Sequence, residues 1–296
     1  MNGERPDPPV LFGEVLFDRF PDGGTVLGGA PLNVALHLQG FGLAPRLLSA
    51  IGADLLGERI LARMEAAGLD TSGIGVDPHH PTGTVDVALV DGEPTFTITP
   101  DVAWDFIDVS RAPGRAALLY HGSLALRRAA AGNAVDRLRA RLGAPVFLDV
   151  NLRDPWWSRE TVRERLATAR WIKLNHDELA ALADGADEPE RAAALFGLGD
   201  IERVFVTRGA AGAAAYRRDG SRVEVAPDPD SVTVIDTVGA GDAFASVLIC
   251  GLLRGWTLEE MLARAQAFAS RIVACRGAVP DDPVLHATTL ATWENA

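Results

Sequence analysis

The residues with the clearest chemical potential form a glycine-rich segment late in the chain, Asp-Thr-Val-Gly-Ala-Gly-Asp at 236–242. The apolar residues around it predict a strand that runs into a tight turn, followed by an apolar helix over 243–253. Amides at a helix start lack intrahelical acceptors and carry partial positive charge, so they can bind an anion such as a phosphoryl group. These amides belong to Gly239, Ala240 and Gly241. Asp242 beside them could take a proton from a hydroxyl group, or could simply cap the helix.

A second glycine segment lies early in the chain, Leu-Gly-Gly-Ala-Pro-Leu-Asn at 27–33. Proline is tolerated in the first turn of a helix, so a helix is predicted to begin here, with Asn33 facing outward. Gly28 and Gly29 allow the backbone to approach a ligand closely, and Asn33 offers a donor and an acceptor to a polyhydroxylated molecule. An ordinary turn and helix start would have the same sequence.

Polar residues also follow three apolar runs. They are Asp149 to Arg153, Lys173 to Glu178, and Thr207 to Gly209. In open sheets of parallel strands, ligands bind outside the carboxyl ends of the strands. The sequence therefore predicts that these three segments meet at one site.

Apolar runs alternate with amphipathic stretches along most of the chain, which predicts βαβ units and a parallel sheet. The pairs are 46–52 with 54–68, 117–122 with 129–142, and 146–150 with 159–169. Two other runs, 84–90 and 95–99, alternate with period two around Asp91-Gly92, a favoured hairpin turn. We expect one α/β domain over 1–296, with a small antiparallel β lid formed by about 15–27 and 83–104 within it.

Composition excludes several classes of protein. The net charge of −12 disfavours nucleic acid and anionic membranes as partners, since both require a basic surface. The chain has no 20-residue apolar run and no signal-peptide pattern, and only two cysteines, which favours the cytoplasm. Lys173 is the only lysine and does not stand in a Gly-Lys-Ser/Thr sequence, so a Walker A loop is absent. A dinucleotide-binding Gly-x-Gly-x-x-Gly after the first strand is absent as well.

The two glycine segments together resemble the signatures of the ribokinase-like carbohydrate kinases, the phosphofructokinase-B family, and among them bacterial fructokinases. The resemblance extends from Phe12-Gly13-Glu14 to Arg276-Gly277-Ala278. It implies an α/β fold with a central, mostly parallel sheet flanked by helices and a small antiparallel β lid. It also implies that ATP and Mg²⁺ are required.

Family roles can be carried over residue by residue. Asp242 would be the catalytic base, and the amides of Gly239, Ala240 and Gly241 would form the anion hole. Substrate would be bound by Asp18, Gly28, Gly29, Asn33 and Arg153. The nucleotide side would comprise Asn175, Glu178, Thr207, Gly209, Gly212 and Gln266, where Gln266 departs from the commoner Asn. Glu178 would act on Mg²⁺ through water, and Asp236 would lie in the strand before the anion hole and bind K⁺.

Some of these residues have simpler interpretations. Asp18 could be a solvated charge of the lid, Arg153 could belong to a structural ion pair, and Asn175 with Glu178 could be a helix cap. These alternatives are left open by the sequence.

The resemblance implies ATP-dependent phosphorylation of a sugar hydroxyl, with fructose to fructose 6-phosphate as the expected reaction. Within the family, a 2-keto-3-deoxygluconate kinase is an alternative because of the 149–153 segment, and a nucleoside kinase because Phe96 and Trp104 could stack a base. From another class, a non-catalytic sugar- or nucleotide-binding sensor is conceivable. The expected partners are sugar and ATP, and an exposed lid could pair with its twin in a homodimer.

Overall fold

The computed structural model describes residues 6–90, 93–226 and 233–294. Its strands are β1 (Pro9–Phe12), β2 (Leu16–Arg19), β3 (Thr25–Gly28), β4 (Arg46–Gly52), β5 (Ile74–Asp77), β6 (Gly83–Val90), β7 (Glu93–Ile98), β8 (Leu118–His121), β9 (Val146–Asp149), β10 (Trp171–Asn175), β11 (Arg203–Thr207), β12 (Ala213–Arg217) and β13 (Arg222–Val225). Its helices are α1 (Ala30–Gly40), α2 (Leu55–Ala66), α3 (Ala129–Leu142), α4 (Arg159–Leu166), α5 (His176–Leu182), α6 (Glu188–Leu195), α7 (Ala240–Arg254), α8 (Leu258–Val273) and α9 (Leu285–Glu294).

Within the described residues, the main sheet has nine strands in the order β13-β12-β11-β10-β9-β8-β1-β4-β5. Its strands from β11 to β5 pair in parallel, and β12 and β13 are added antiparallel at one edge. The predicted βαβ alternation is confirmed for all three pairs of segments. From β1 the chain proceeds to β4 on one side and later to β8 on the other, so the strand order reverses at β1. Such reversal points are where open α/β sheets bind ligands.

Alternation along the strands builds two apolar layers, one on each face of the sheet. On β10, Ile172 and Leu174 pack with α3 to α6. On the other face, Phe147 and Phe205 of the neighbouring strands pack with α1, α7 and α8. Lys173 lies between Ile172 and Leu174 and beside Phe205 in the sheet register, so its side chain is directed toward α7.

The second sheet has four strands in the part of the chain that the structure describes, in the order β3-β2-β6-β7. The pairs β2–β3 and β6–β7 are antiparallel, and β2 joins β6 in parallel. This is the small lid sheet expected from the sequence, and it confirms the predicted fold class. Its strands match the predicted ranges of about 15–27 and 83–104, except that β3 ends one residue later, at Gly28. The Asp91-Gly92 turn lies outside the described residues. The count of one domain and a homodimer through the lid stay predictions.

The prediction of a strand immediately before the late glycine segment is wrong. Residues 233–239 form no strand, and Val234 and Ile235 are 62% and 58% exposed. The amides of Ile235 and Asp236 instead donate to the carbonyl of Val273, at the end of α8. That carbonyl lacks an intrahelical partner, so it draws these amides away from any sheet edge. Asp236 therefore lies in an irregular segment and not in a strand.

Among the described helices, none combines the length with the apolarity that crossing a bilayer requires.

Gly29 provides the first prediction. It connects β3 to α1 at φ +108°, and a Cβ there would lie 2.5 Å from the carbonyl oxygen of Glu14. We expect Gly29→Ala to lower the free energy of unfolding by about 2–4 kcal/mol, combining backbone strain with a clash against main chain. Gly23→Ala is the matched control, because Gly23 has φ +85° with nothing within 4 Å, so only about 1 kcal/mol should be lost. Equal losses in urea unfolding would show that the contact with Glu14 is unimportant.

Candidate active site

A cleft of ≈ 600 Å³ lies between the lid sheet and the carboxyl ends of the main-sheet strands. Its floor is formed by residues at the carboxyl ends of β9, β10 and β11, as the sequence predicts, and by Glu14 after β1, which the sequence analysis did not single out. Eleven of the predicted site residues line it: Asp18, Gly28, Gly29, Asn33, Arg153, Asn175, Glu178, Thr207, Gly239, Gly241 and Asp242.

The start of α7 borders this cleft with free backbone amides. Gly239 precedes the helix at φ +79°, and a Cβ at that position would collide with Ala278. The helix has no side-chain cap, and none of the described residues supplies an acceptor for the amides of Gly241 or Asp242. The Ala240 amide faces the carbonyl of Thr237 at 3.4 Å and Ala240 does not line the cleft, so its part in an anion hole is not supported by the geometry. The free amides and the helix dipole make this turn suitable for an anion.

The Asp242 carboxyl lies in the same cleft and is held by α1. The side-chain amide of Asn33 donates a 2.8 Å hydrogen bond to Oδ2 of Asp242. Asn33 is therefore not directed outward as predicted, and only 7% of it is exposed. Burial raises the pKa of Asp242 to about 6, against the opposing effect of the Asn33 hydrogen bond. A carboxylate with this pKa is ionised at neutral pH and is a stronger base than an ordinary aspartate.

Glu14 is a cleft residue that the sequence analysis did not single out. It follows β1, it is 3% exposed, and no hydrogen-bond partner among the described residues reaches its Oε2. Burial raises the pKa of Glu14 to about 7, and the charge of Asp242 contributes in the same direction. A polar residue close to the end of an apolar strand was the available signal, because Glu14 lies two residues after β1.

The sugar end of the predicted site is formed by the lid and the 149–153 segment. A Cβ at Gly28 would lie 3.1 Å from Oδ2 of Asp18, so this glycine leaves room for the carboxyl group. Burial raises the pKa of Asp18, while the charge of Arg153 lowers it. Arg153 is exposed and donates to the carbonyl of Leu152, so it forms no tight ion pair in the described structure. Asp18 and Arg153 thus line the cleft and keep carboxylate acceptors and guanidinium donors available for a ligand.

Asn175 and Glu178 form the helix cap that was the simpler interpretation of their spacing. Oδ1 of Asn175 accepts from the Glu178 amide at 2.9 Å, and Oε2 of Glu178 accepts from the Asn175 amide at 2.8 Å. The other oxygen of Glu178 accepts from the Leu152 amide at 2.8 Å. The cap therefore holds Glu178 against the 149–153 segment. Carboxylate oxygens have lone pairs beyond these bonds, so a hydrated Mg²⁺ remains chemically compatible with the pair.

Besides Ala240, four predicted residues lie outside the lining of the cleft. Gly209 and Gly212 form the turn between β11 and β12, at φ +55° and +86°, while Thr207 just before them does line the cleft. Gln266 donates to Ser270 on its own helix. Asp236 accepts from the amides of Val238 and Gly277, so its carboxyl group joins two loops.

The sequence and the fold were then compared with known proteins. The model of the pfkB family of carbohydrate kinases matches residues 12–285. A fructokinase of Klebsiella pneumoniae is 31% identical over 88% of this chain and 89% of its own length. A crystal structure of an ATP-bound fructokinase from Xylella fastidiosa has a TM-score of 0.84 at 24% identity, covering 97% and 99% of the two chains. A fructokinase from Vibrio cholerae O395 with fructose, ADP and calcium bound has a TM-score of 0.81 at 26% identity, covering 95% and 98%.

The raised pKa of Asp242 predicts how stability depends on pH. Between the unfolded value of 3.8 and the folded value of about 6, the folded protein binds more protons, so this group destabilises the fold as pH rises through that range. Asp242→Asn should therefore be more stable than the parent at pH 7.5, by about 1–2 kcal/mol because the cleft is partly solvated.

The comparison needs urea unfolding at pH 7.5 and at pH 4. At pH 4 most of the difference should be lost, because Asp242 is then protonated in the folded protein and only about half ionised in the unfolded chain. Asp177→Asn is the matched control, since Asp177 is an exposed aspartate in the first turn of α5. It should change stability by less than about 0.5 kcal/mol. A destabilised Asp242→Asn protein at pH 7.5 would contradict the assignment.

Proposed function

Because the chain belongs to the pfkB family of carbohydrate kinases, we propose that it transfers the γ-phosphoryl group of ATP to a hydroxyl of fructose, forming fructose 6-phosphate. The proposal rests most directly on one arrangement. Asp242, fixed by Asn33, lies in the same cleft as the free amides at the start of α7. This places a proton acceptor beside a site for the charge of a phosphoryl group.

The proposed reaction assigns a separate task to each group. Oδ2 of Asp242 is occupied by Asn33, which leaves Oδ1 to accept the proton of the sugar hydroxyl. As the O–H bond breaks, the hydroxyl oxygen bonds to the γ-phosphorus and the bond to the β-phosphate oxygen breaks, releasing ADP. The amides of Gly241 and Asp242 stabilise charge on the transferred group. No covalent enzyme intermediate is required.

ATP would enter as the magnesium complex, and the cleft offers oxygen ligands compatible with that ion. Asn175 and Glu178 are the residues proposed to orient its water shell. Bound magnesium would neutralise phosphate charge while the protein positions the reactants. The Vibrio cholerae relative was crystallised with ADP and a calcium ion, which supports a divalent cation here. Potassium near Asp236, a cytoplasmic location and a lid-mediated homodimer stay predictions.

Fructose is favoured over the other acceptors by the relatives and by the lid. The Klebsiella pneumoniae and Vibrio cholerae relatives are both named fructokinases. A nucleoside would need aromatic stacking, and Trp104 is 1% exposed and does not line the cleft, although Phe96 does. A keto-deoxy acid could pair its carboxylate with Arg153. A non-catalytic sensor would have no use for a base of raised pKa beside free amides.

A coupled assay of ADP release tests the proposal across fructose, other ketoses, aldoses, 2-keto-3-deoxygluconate and nucleosides. Fructose should give the highest kcat/KM. A higher kcat/KM for 2-keto-3-deoxygluconate would make that acid the proposed substrate, with Arg153 binding its carboxylate. Absence of turnover with every acceptor, in a folded protein that binds ATP, would favour the sensor.

Asp242→Asn should lower kcat by about 10²- to 10⁴-fold with little change in the dissociation constant of the sugar, because the variant loses the base and keeps the shape. In the parent, kcat should fall below about pH 6, where Asp242 becomes protonated. The fall on the acid side should be absent from the residual activity of the variant. Near-parental turnover in the folded variant would refute the role of Asp242.

Asp18→Ala should raise the KM of the sugar by about 10- to 100-fold, which corresponds to one charged hydrogen bond. ATP affinity should be unchanged, because Asp18 belongs to the lid and not to the start of α7. Asp86→Ala, which removes an exposed lid carboxylate paired with Arg19, is the matched control and should leave both constants near the parental values. An unchanged sugar KM in Asp18→Ala would show that Asp18 does not bind the sugar and is only a solvated charge of the lid.

A further inference from the structure

The only lysine of the chain is buried in the cleft, in a position that its strand dictates. Lys173 is 7% exposed and lies on β10 between two apolar residues that face the opposite layer. Its ammonium group donates a 2.8 Å hydrogen bond to Oδ1 of Asp149, the residue beside it on β9. Tyr120 places its hydroxyl 3.4 Å from the other Asp149 oxygen. Asp149 is thus held by two donors and fixes the direction of the lysine.

The ammonium group reaches the start of α7. A Cβ built on Gly241 would lie 3.2 Å from Nζ of Lys173, so this glycine leaves the room that the ammonium group occupies. An ammonium group has three donors, and among the described residues only Asp149 accepts one of them. The ammonium group therefore lies beside Gly241, whose amide also lacks an acceptor among the described residues. A buried cation with unused donors at an anion-binding turn is suited to bind phosphate.

Charge in the cleft supports the same conclusion. The described lining residues include five carboxyl side chains but only two cationic ones, Lys173 and Arg153. Arg153 is exposed and acts on Asp18 at the sugar end. A nucleoside triphosphate brings several negative charges into this acidic surrounding. Lys173 is therefore the cation placed to offset them where the phosphoryl group would be transferred.

We propose that Lys173 is a catalytic residue of the phosphoryl transfer, with Nζ in contact with the transferred group, and that Asp149 is the residue that positions it. The proposal rests on the proposed kinase function. The ammonium group keeps its protons throughout and gains its strongest interaction as charge develops on the transferred oxygens. Burial alone would lower the pKa of Lys173, but the attraction of Asp149 outweighs it, so the pKa is raised and the group stays charged.

The alternative is a purely structural ion pair. Removing one member of a buried pair leaves an unpaired charge and can prevent folding. The informative variant is therefore the double substitution Lys173→Met/Asp149→Asn, which removes both charges together. Arg170→Met is the matched control, since Arg170 is an exposed cation just before β10. Thermal unfolding establishes that each protein is folded.

In the double variant, kcat should fall by about 10²- to 10³-fold, and the KM of fructose should stay within about threefold of the parental value. Arg170→Met should keep the parental kcat. Binding of ADP with magnesium should also stay within about threefold, whereas the extra affinity gained by adding aluminium fluoride, which mimics the transferred phosphoryl group, should be lost. A folded double variant with near-parental kcat, or with the full aluminium fluoride increment, would overturn the role of Lys173.

The aluminium fluoride measurement separates this proposal from the kinase proposal because it needs no sugar. If no acceptor is phosphorylated but the parent gains affinity with aluminium fluoride and the double variant does not, Lys173 retains its anion contact and the choice of reaction is wrong. If the parent gains no affinity from aluminium fluoride, the proposal for Lys173 fails directly. If Asp242→Asn loses activity while the double variant Lys173→Met/Asp149→Asn keeps it, the role proposed for Lys173 is wrong and the kinase proposal stands.

Discussion

Competition for the amides at the start of α7 is the constraint on which the site depends. Asp242 stands in the first turn of that helix, where the dipole attracts any negative group. A carboxylate that folded back onto the amides would cap the helix and exclude a phosphate. The hydrogen bond from Asn33 holds the carboxyl group toward the cleft instead. The amides of Gly241 and Asp242 stay free because α1 and α7 pack together and bring Asn33 to that point.

The same site concentrates ionisable groups that a protein interior disfavours. Burial raises the pKa of both Glu14 and Asp242, so the folded chain resists ionising them. The Lys173–Asp149 pair avoids this difficulty because each member offsets the other. The apolar layers on both faces of the sheet must supply enough stability to tolerate these two buried acids. This is the familiar conflict between a stable fold and a reactive pocket.

The sequence predicted much of this arrangement through local signals. Glycine segments flanked by apolar runs located the two helix starts, and polar residues after apolar runs located the strand ends. What it could not predict depends on strand order: Lys173 meets Asp149 because β10 lies beside β9, and no spacing in the chain encodes that neighbour. The prediction of a strand before the late glycine segment was wrong for a related reason. The carbonyl of Val273 at the end of α8 accepts from the amides of Ile235 and Asp236, and the sequence does not show that contact. Gln266 was placed by resemblance alone, and its side chain bonds within its own helix.

The lid is joined to the core beside the cleft. β1 of the main sheet passes into β2 of the lid within three residues, 13–15, and β3 returns to α1 through Gly29, whose φ of +108° leaves no space for a side chain against Glu14. These two crossings carry Glu14 on one side and lead to Asn33 on the other. A rigid-body rotation of the lid that closed the cleft would therefore also displace Asn33, which holds the Asp242 carboxyl group. Enclosure of a bound molecule and movement of the Asp242 carboxyl group would then occur as a single mechanical event.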